Sequence, residues 1–163
     1  MSVRIRSSTS TDVPFLRQML YEAAYWRGGN RPDFEVGLST PEFRKLLADW
    51  GRDGDLAVVA EDGTEPVGAA WLRFWDDRDH SFGYVSSEVP ELGIGVAETH
   101  RRMGIGRRLM ERLLSDAAGA GTDRVSLSVE RDNPALHLYE TLGFKTVGTV
   151  GNAYTMVSSA GAA

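Results

Sequence analysis

ELGIGVAETHRRMGIGRRLM, residues 91–110, is the stretch that decides how this chain is read. It opens with ELGIGVA (91–97), a largely apolar run that reads as a buried strand. A short polar segment follows, then Gly104 and Gly106, then a helical pattern to about Ala118 with Ile105, Leu109, Leu113 and Ala117 on one face. A helix start presents unpaired N–H groups and the positive end of the helix dipole. Glycine there lets the backbone approach a ligand closely. Together these features make an anion site, most naturally for phosphate. Each interaction with an exposed helix end contributes only about 0.3–1 kcal/mol, so useful affinity needs several N–H bonds plus charge-assisted arginine bonds. A tight loop-to-helix junction that binds nothing has the same glycines, and both readings stand on this stretch alone.

What the stretch lacks is also informative. No Gly-Lys-Ser/Thr follows, so it is not a P-loop, and G-x-G-x-x-G is absent. ATP hydrolysis and NAD chemistry therefore lose support. The chain of 163 residues contains no cysteine, which excludes disulfides, thiolate metal sites and cysteine nucleophiles. Its three histidines, His80, His100 and His137, show no metal-ligand spacing, so no metal is expected. No apolar run approaches membrane length, and MSVRIRSSTSTD lacks a signal-peptide core. A cytoplasmic protein without membrane contact is expected.

Charge is unevenly placed. The formal net charge is −5, which argues against a nucleic-acid binder. Residues 1–90 carry 10 basic and 15 acidic side chains, whereas residues 91–163 carry 8 of each. Five arginines (Arg101, Arg102, Arg107, Arg108, Arg112) against Glu111 alone give 101–112 a local +4. One compact basic spot on an acidic protein fits a small anion, although a solvated helix face has the same composition.

Working outward, VRIR (3–6) alternates as a half-buried strand does. A helix follows, capped by Ser10, Thr11 or Asp12, with Leu16, Met19, Leu20, Ala23 and Ala24 at helical spacing up to Gly28-Gly29. Residues 28–39 read as a loop, and Thr40-Pro41 starts a second helix. DLAVVA (55–60), an Asp-Gly turn and PVGAAWLRFW (66–75) form a strand pair. Phe82–Val85 is a candidate short strand. RVSLSV (124–129) is a strand, a helix runs from Asp132 or Asn133 to Leu142, and Lys145–Val150 and Tyr154–Val157 form a final hairpin. Residues 1–157 make one expected domain, with 158–163 a flexible tail. The order predicts an α/β (α+β) sheet of six or seven strands.

Two spaced patterns resemble the GNAT acetyltransferase superfamily. Val96-x-x-x-x-Arg101-x-x-Gly104-x-Gly106 is similar to its acetyl-CoA signature. Val129-x-x-x-Asn133-Pro134-Ala135-x-x-Leu138-Tyr139-x-x-x-Gly143-Phe144 is similar to its second motif. The N-terminal VRIRSSTSTDVPFL is similar to the opening of many members, so the resemblance covers nearly the whole chain. It implies a mixed, mostly antiparallel sheet flanked by about four helices and splayed between strands four and five. It further implies pantetheine pairing with the backbone of Ile94, Val96 and Ala97. The pyrophosphate would meet the N–H groups of Arg102, Met103, Gly104, Ile105, Gly106 and Arg107, with Arg101 in the family's Arg/Gln position. Glu98 stands where the family often has proline. The resemblance also leaves a homodimer open, through sheet edges or final strands.

Acetyl transfer to an amine needs a neutral amine, a polarised thioester and a protonated leaving thiolate. Neutralising a lysine-like amine at pH 7 costs roughly 4.6 kcal/mol, which a general base lowers. Glu91 is the leading base candidate, with Glu88 and Glu35 behind it; an exposed carboxylate at a strand start looks the same in sequence. Tyr139 fits the family's general acid, or it packs a helix. Asn133 caps its helix, contacts CoA, or both. A backbone N–H near Val96 would stabilise the oxyanion. Trp26, Trp71, Phe74, Trp75 and Tyr84 belong to the core or to an acceptor pocket, and Trp71 and Trp75 would share one strand face. His100 and His137 read as solvated. The expected function is acetyl-CoA-dependent N-acetyl transfer to a primary amine of a small molecule or peptide. The alternatives are a CoA-binding module without turnover and a phosphate-binding structural domain.

Overall fold

The computed structural model describes residues 2–161; the last two residues of the expected tail, 162 and 163, lie outside them. Among the described residues there are seven strands: β1 (Val3–Ser7), β2 (Leu56–Asp62), β3 (Glu65–Arg73), β4 (Glu91–Val96), β5 (Arg124–Glu130), β6 (Lys145–Val150) and β7 (Ala153–Ser159). Five α-helical segments accompany them: α1 (Val13–Ala24), α2 (Phe34–Gly37), α3 (Pro41–Arg44), α4 (Ile105–Gly119) and α5 (Ala135–Thr141). The strand order is β1-β2-β3-β4-β5-β7-β6. β1/β2, β5/β7 and β6/β7 are antiparallel, and β4/β5 is the parallel pair, in register at Glu91↔Ser126.

The chain forms two compact units. The first holds the chain up to Trp71 together with Gly93–Leu113. Here β1 pairs with β2 from Val3↔Asp62 to Ser7↔Val58. Arg6 on β1 donates twice to Asp12, at 2.8 Å each, and lies 3.1 Å from Glu61. Asp12 also accepts the Thr9 N–H at 2.7 Å, which caps the turn leading into α1. Its carboxyl is held below the ordinary value mainly by Arg6. Leu16, Met19 and Leu20 of α1 are buried against Val59, Ala69 and Trp71, as their helical spacing predicts.

Residues 28–39 are more ordered than their composition suggests. They contain α2, and side chains of α1 hold them: Tyr21 Oη donates to Pro32 O and Tyr25 Oη to Gly37 O at 2.8 Å. The long-range partners decide this, and local sequence does not show them.

β4 is shaped by its glycines. A Cβ on Gly93 would lie 2.5 Å from Trp71 Nε1, and one on Gly95 would run into Met19 O of α1. Two missing side chains let an indole and a helix backbone lie directly on the strand.

The second unit holds Leu72–Leu92 and the chain from Leu114 onward. β5 and β7 pair from Arg124↔Ser159 to Glu130↔Ala153. β7 therefore runs past the expected Val157. Ser158 is buried, and Ala160 N–H donates to Asp123 O at 2.9 Å, so residues 158–160 are held against β5 and the start of the expected flexible tail is corrected. β3 stops at Arg73, so the expected strand face shared by Trp71 and Trp75 ends before Trp75. Phe82–Val85 is a turn and open chain instead of a strand.

Gly95→Ala should destabilise the protein by about 1–3 kcal/mol, because backbone rather than a flexible side chain blocks the added methyl. Gly119→Ala is the control: it sits at the end of α4 with nothing within 4 Å of its Cβ and should be neutral or slightly stabilising. Denaturant midpoints check both, and equal midpoints for Gly95→Ala and wild type would refute the close contact.

Candidate functional site

The glycine loop lies in the first unit. Ala97 N–H donates to Val67 O at 2.8 Å, so this N–H, expected from the resemblance to meet the pantetheine, is already bonded. Strand alternation turns the peptide groups of Ile94 and Val96 the opposite way, off β3. The turn Glu98–His100 follows, and His100 is not solvated as expected: Nε2 lies 3.0 Å from Asp62 Oδ2 and Nδ1 lies 2.8 Å from Thr99 Oγ1. His137 is exposed.

Arg102 (φ 63°) and Gly104 (φ 79°) both adopt the left-handed region immediately before α4. Arg108 N–H to Gly104 O, at 3.2 Å, is the first bond of the helical ladder. The N–H groups of Ile105 and Gly106 precede it and point out of the helix end. The Ile105 side chain is buried and anchors the helix, whereas Met103, Gly104 and Arg107 are exposed. A Cβ on Gly104 would meet no protein atom within 4 Å. Its backbone angle, and not its packing, requires glycine there.

The arginine cluster divides in two. Arg101 Nε donates to Val96 O at 3.1 Å, and Nη2 donates to Glu22 Oε1 at 2.9 Å. Arg31 takes the other oxygen of Glu22 at 2.8 Å. Arg112 donates to Ile5 O at 3.2 Å and to Ser7 Oγ at 3.1 Å. Arg101 and Arg112 therefore brace the fold, while Arg102, Arg107 and Arg108 are the exposed cations around Gly104 and Gly106. Glu22 was not legible in the sequence, because it meets Arg101 across 79 residues. Beside it, a cavity of about 260 Å³ is lined by residues that include Tyr21, Glu22, Phe34, Ala97 and Glu98.

The second unit holds the candidate acid and base. Glu91 Oε2 accepts the Gly83 N–H at 2.9 Å, and Oε1 is buried with no hydrogen-bond partner at full bonding distance. Burial pushes the carboxyl up to about 7, against weaker opposing effects of Gly83, Ser81, Trp75 and His80. Of the rival carboxylates, Glu88 is exposed in a turn and Glu35 is exposed and ion-paired with Arg17 at 3.2 Å. Tyr139 is buried beside Phe144, and its hydroxyl makes no hydrogen bond among the described residues. Burial raises it to about 12, so it stays protonated at neutral pH. Asn133 Oδ1 accepts the Ala135 N–H at 2.9 Å, which braces the start of α5. Among the aromatic candidates, Trp71 belongs to the core of the first unit, and Tyr84 is tied to Asp77.

Residues 23–144 match the acetyltransferase (GNAT) family, three quarters of the chain and both motifs. The chain belongs to the GNAT family. Mycothiol acetyltransferase of Corynebacterium kroppenstedtii is 34% identical over 104 residues, covering 63% of this chain and 28% of that protein. The chain spans about a third of the length of the corynebacterial mycothiol acetyltransferases it matches. The L-amino acid N-acyltransferase MnaT of Escherichia coli is 29% identical, covering 77% of this chain and 67% of that protein. The PaiA N-acetyltransferase of Thermoplasma acidophilum, solved in complex with coenzyme A, superposes with a TM-score of 0.74 at 20% identity over 98% of this chain and 99% of that one. The mixed sheet with its parallel β4/β5 pair is the GNAT fold.

The raised Glu91 carboxyl carries a stability consequence. Its folded value of about 7 lies above the ordinary 4.5, so the native state keeps the proton longer than the unfolded chain does. Stability therefore falls as pH rises from about 4.5 through 7, and the deficit persists above that. Glu91→Gln, which carries no charge, should raise Tm relative to wild type at pH 8 and make little difference at pH 5. A Tm difference independent of pH would contradict the burial of this carboxyl.

Proposed function

We propose that this protein is an acetyl-CoA-dependent N-acetyltransferase that moves the acetyl group directly from the thioester to a primary amine of a small molecule or peptide. The observation that carries the reading is Glu91: a buried carboxyl tuned to about 7 in a GNAT chain. A base works best with a pKa near the operating pH. The gap to a lysine-like amine at about 10.4 is wide, whereas a peptide α-amine at about 7.7–8.0 lies within about one unit. Such an acceptor would lose its proton to Glu91 at little cost.

In this reading Glu91 first takes the ammonium proton and releases it to solvent; the neutral nitrogen then attacks the thioester carbonyl and Glu91 takes the second N–H proton. The C–N bond forms, the C–S bond breaks, and Tyr139 gives its hydroxyl proton to the departing thiolate. A phenol held protonated by burial suits that role. The N–H groups of Ile105 and Gly106, with Arg102, Gly104 and Arg107, would hold the pyrophosphate, and Val96 N–H would face the oxyanion. Arg101 would act through its hold on Val96 O and Glu22 rather than by touching phosphate. The segment folded onto α1 lines a cavity with the aromatic rings of Tyr21 and Phe34 and the carboxylate of Glu98, a lining that suits a cationic group. The absence of cysteine supports direct transfer over a thioester on the enzyme.

We take residues 1–157, with 158–160 held against β5, as one catalytic domain, because a single family match covers parts of both compact units. No described helix is long and apolar enough to cross a membrane, which supports the cytoplasmic reading. A homodimer would use the last strand in the sheet order, β6, whose six residues are all exposed.

Acetyl-CoA should raise Tm, and NAD should not. Gly104→Glu should remove that shift, through backbone strain and a carboxylate placed where phosphate would bind. Tyr139→Phe should keep it while lowering kcat by about 10²-fold or more. Thiol release against a panel of amines reads turnover. An acetyl-CoA shift with no turnover on any amine would favour a binding module, and no shift at all would defeat the acetyl-CoA reading.

A further inference from the structure

Glu91 owes its environment to a loop that no motif marks. Residues 76–84 organise themselves. Asp76 Oδ1 accepts the N–H groups of Arg78 and Asp79 at 2.9 Å each, and Asp76 N–H donates to Asp79 O at 3.2 Å. Tyr84 Oη donates to Asp77, and its ring stacks on His80 with centroids 4.3 Å apart. These bonds close the loop without Glu91, so the Gly83 N–H bond to Glu91 is an addition to a preformed turn.

Gly83 is buried where nothing larger fits. A Cβ there would lie 2.8 Å from Leu127 C, 2.9 Å from Ser128 N and 2.9 Å from Glu91 Oε2. Two of these are backbone atoms of β5, which cannot swing away. The turn thus rests directly on the strand and on the carboxylate. Ser81 Oγ, two residues earlier, is buried with no hydrogen-bond partner at full bonding distance, and Ser81 and Trp75 both favour the charged carboxylate.

We propose that Gly83 and Ser81 are positioning residues for the Glu91 carboxyl: Gly83 N–H fixes Oε2, and the Ser81 hydroxyl steadies Oε1. This rests on Glu91 being the base. The division of labour follows from the bonds present. Oε2 already has its donor, whereas Oε1 has none at full bonding distance. A hydroxyl suits Oε1 because it donates to a carboxylate and accepts from a carboxylic acid, so it serves both halves of a proton transfer. His80, exposed on the same loop, is the titratable group whose charge acts on Glu91, and it is retained in every variant below.

The test is the titration of Glu91 by carboxyl ¹³C NMR, alongside kcat–pH profiles and Tm, for Ser81→Ala, Gly83→Ala and Glu91→Gln. Ser81→Ala removes a group that favours the charged form, so the Glu91 midpoint and the acid limb of kcat should rise, by up to the about 0.4–1 unit that a full hydrogen bond is worth. Gly83→Ala lifts the turn and admits water. Burial is the largest influence on this carboxyl, so its midpoint should fall, and kcat should drop by about tenfold or more as the base loses its fixed orientation. KM for acetyl-CoA should stay unchanged in both. A purely structural loop would lower Tm and leave the Glu91 midpoint where it was. Unmoved midpoints, with activity lost in Glu91→Gln, would overturn the positioning roles alone. Wild-type kcat in Glu91→Gln would overturn the base reading and the positioning roles with it. Should Gly83→Ala fail to fold, the upward shift in Ser81→Ala still decides.

Discussion

Close approach to β4 is the constraint on which the first unit is built. Gly93 admits the Trp71 indole and Gly95 admits the α1 backbone at Met19, at separations no side chain permits. Interiors are packed densely enough that a single methyl is felt, so these two positions fix how α1 and β3 sit on the strand. The same strand begins at Glu91 and leads through Ala97 into the loop that ends at α4. A strand clamped this firmly gives both ends fixed positions within their own units. A site that must hold reacting groups to a fraction of an ångström needs such rigid support.

Charge in this protein is assigned more strictly than its sum suggests. Five arginines crowd residues 101–112, but Arg101 and Arg112 face inward to Glu22, Val96 O, Ile5 O and Ser7. Glu22 is shared between Arg101 and Arg31 and so ties the 28–39 segment to the glycine loop. Both guanidinium groups are committed to one half-buried carboxylate. The exposed remainder, Arg102, Arg107 and Arg108, lies around the start of α4, where the N–H groups of Ile105 and Gly106 precede the helical ladder.

Glu91 carries a stability cost above neutral pH. A carboxyl with one oxygen on a backbone N–H and the other buried resists ionisation, and an apolar or amide side chain would rest there more comfortably. Perturbed groups of this kind cluster at functional sites, where the perturbation is the working property. Tyr139 is shifted in the same sense and for the same reason, since burial holds its hydroxyl protonated across the working range. Both groups are driven toward their uncharged forms.

Local pattern determined most of the elements and their order; it missed α2 and offered a strand at Phe82–Val85 where a turn stands. Alternation and helical spacing depend on neighbours a few residues away, so all seven strands, the Asp-Gly hairpin and the helix after Gly104 were legible, and with them the family. Gly104 was legible too, because a turn entering a helix needs a left-handed residue whatever lies around it. The tertiary structure decided what depends on distant partners. Glu91 looked like any carboxylate at a strand start until the Gly83 turn covered it, and Arg101 looked like a phosphate ligand until Glu22 met it from α1. β3 ended two residues early and β7 ran two residues long for the same reason, since ladder bonds and burial from remote segments set strand ends. Composition and spacing name the groups a chain carries; desolvation and charge pairing, which arise only when distant segments meet, decide which of them are free to act.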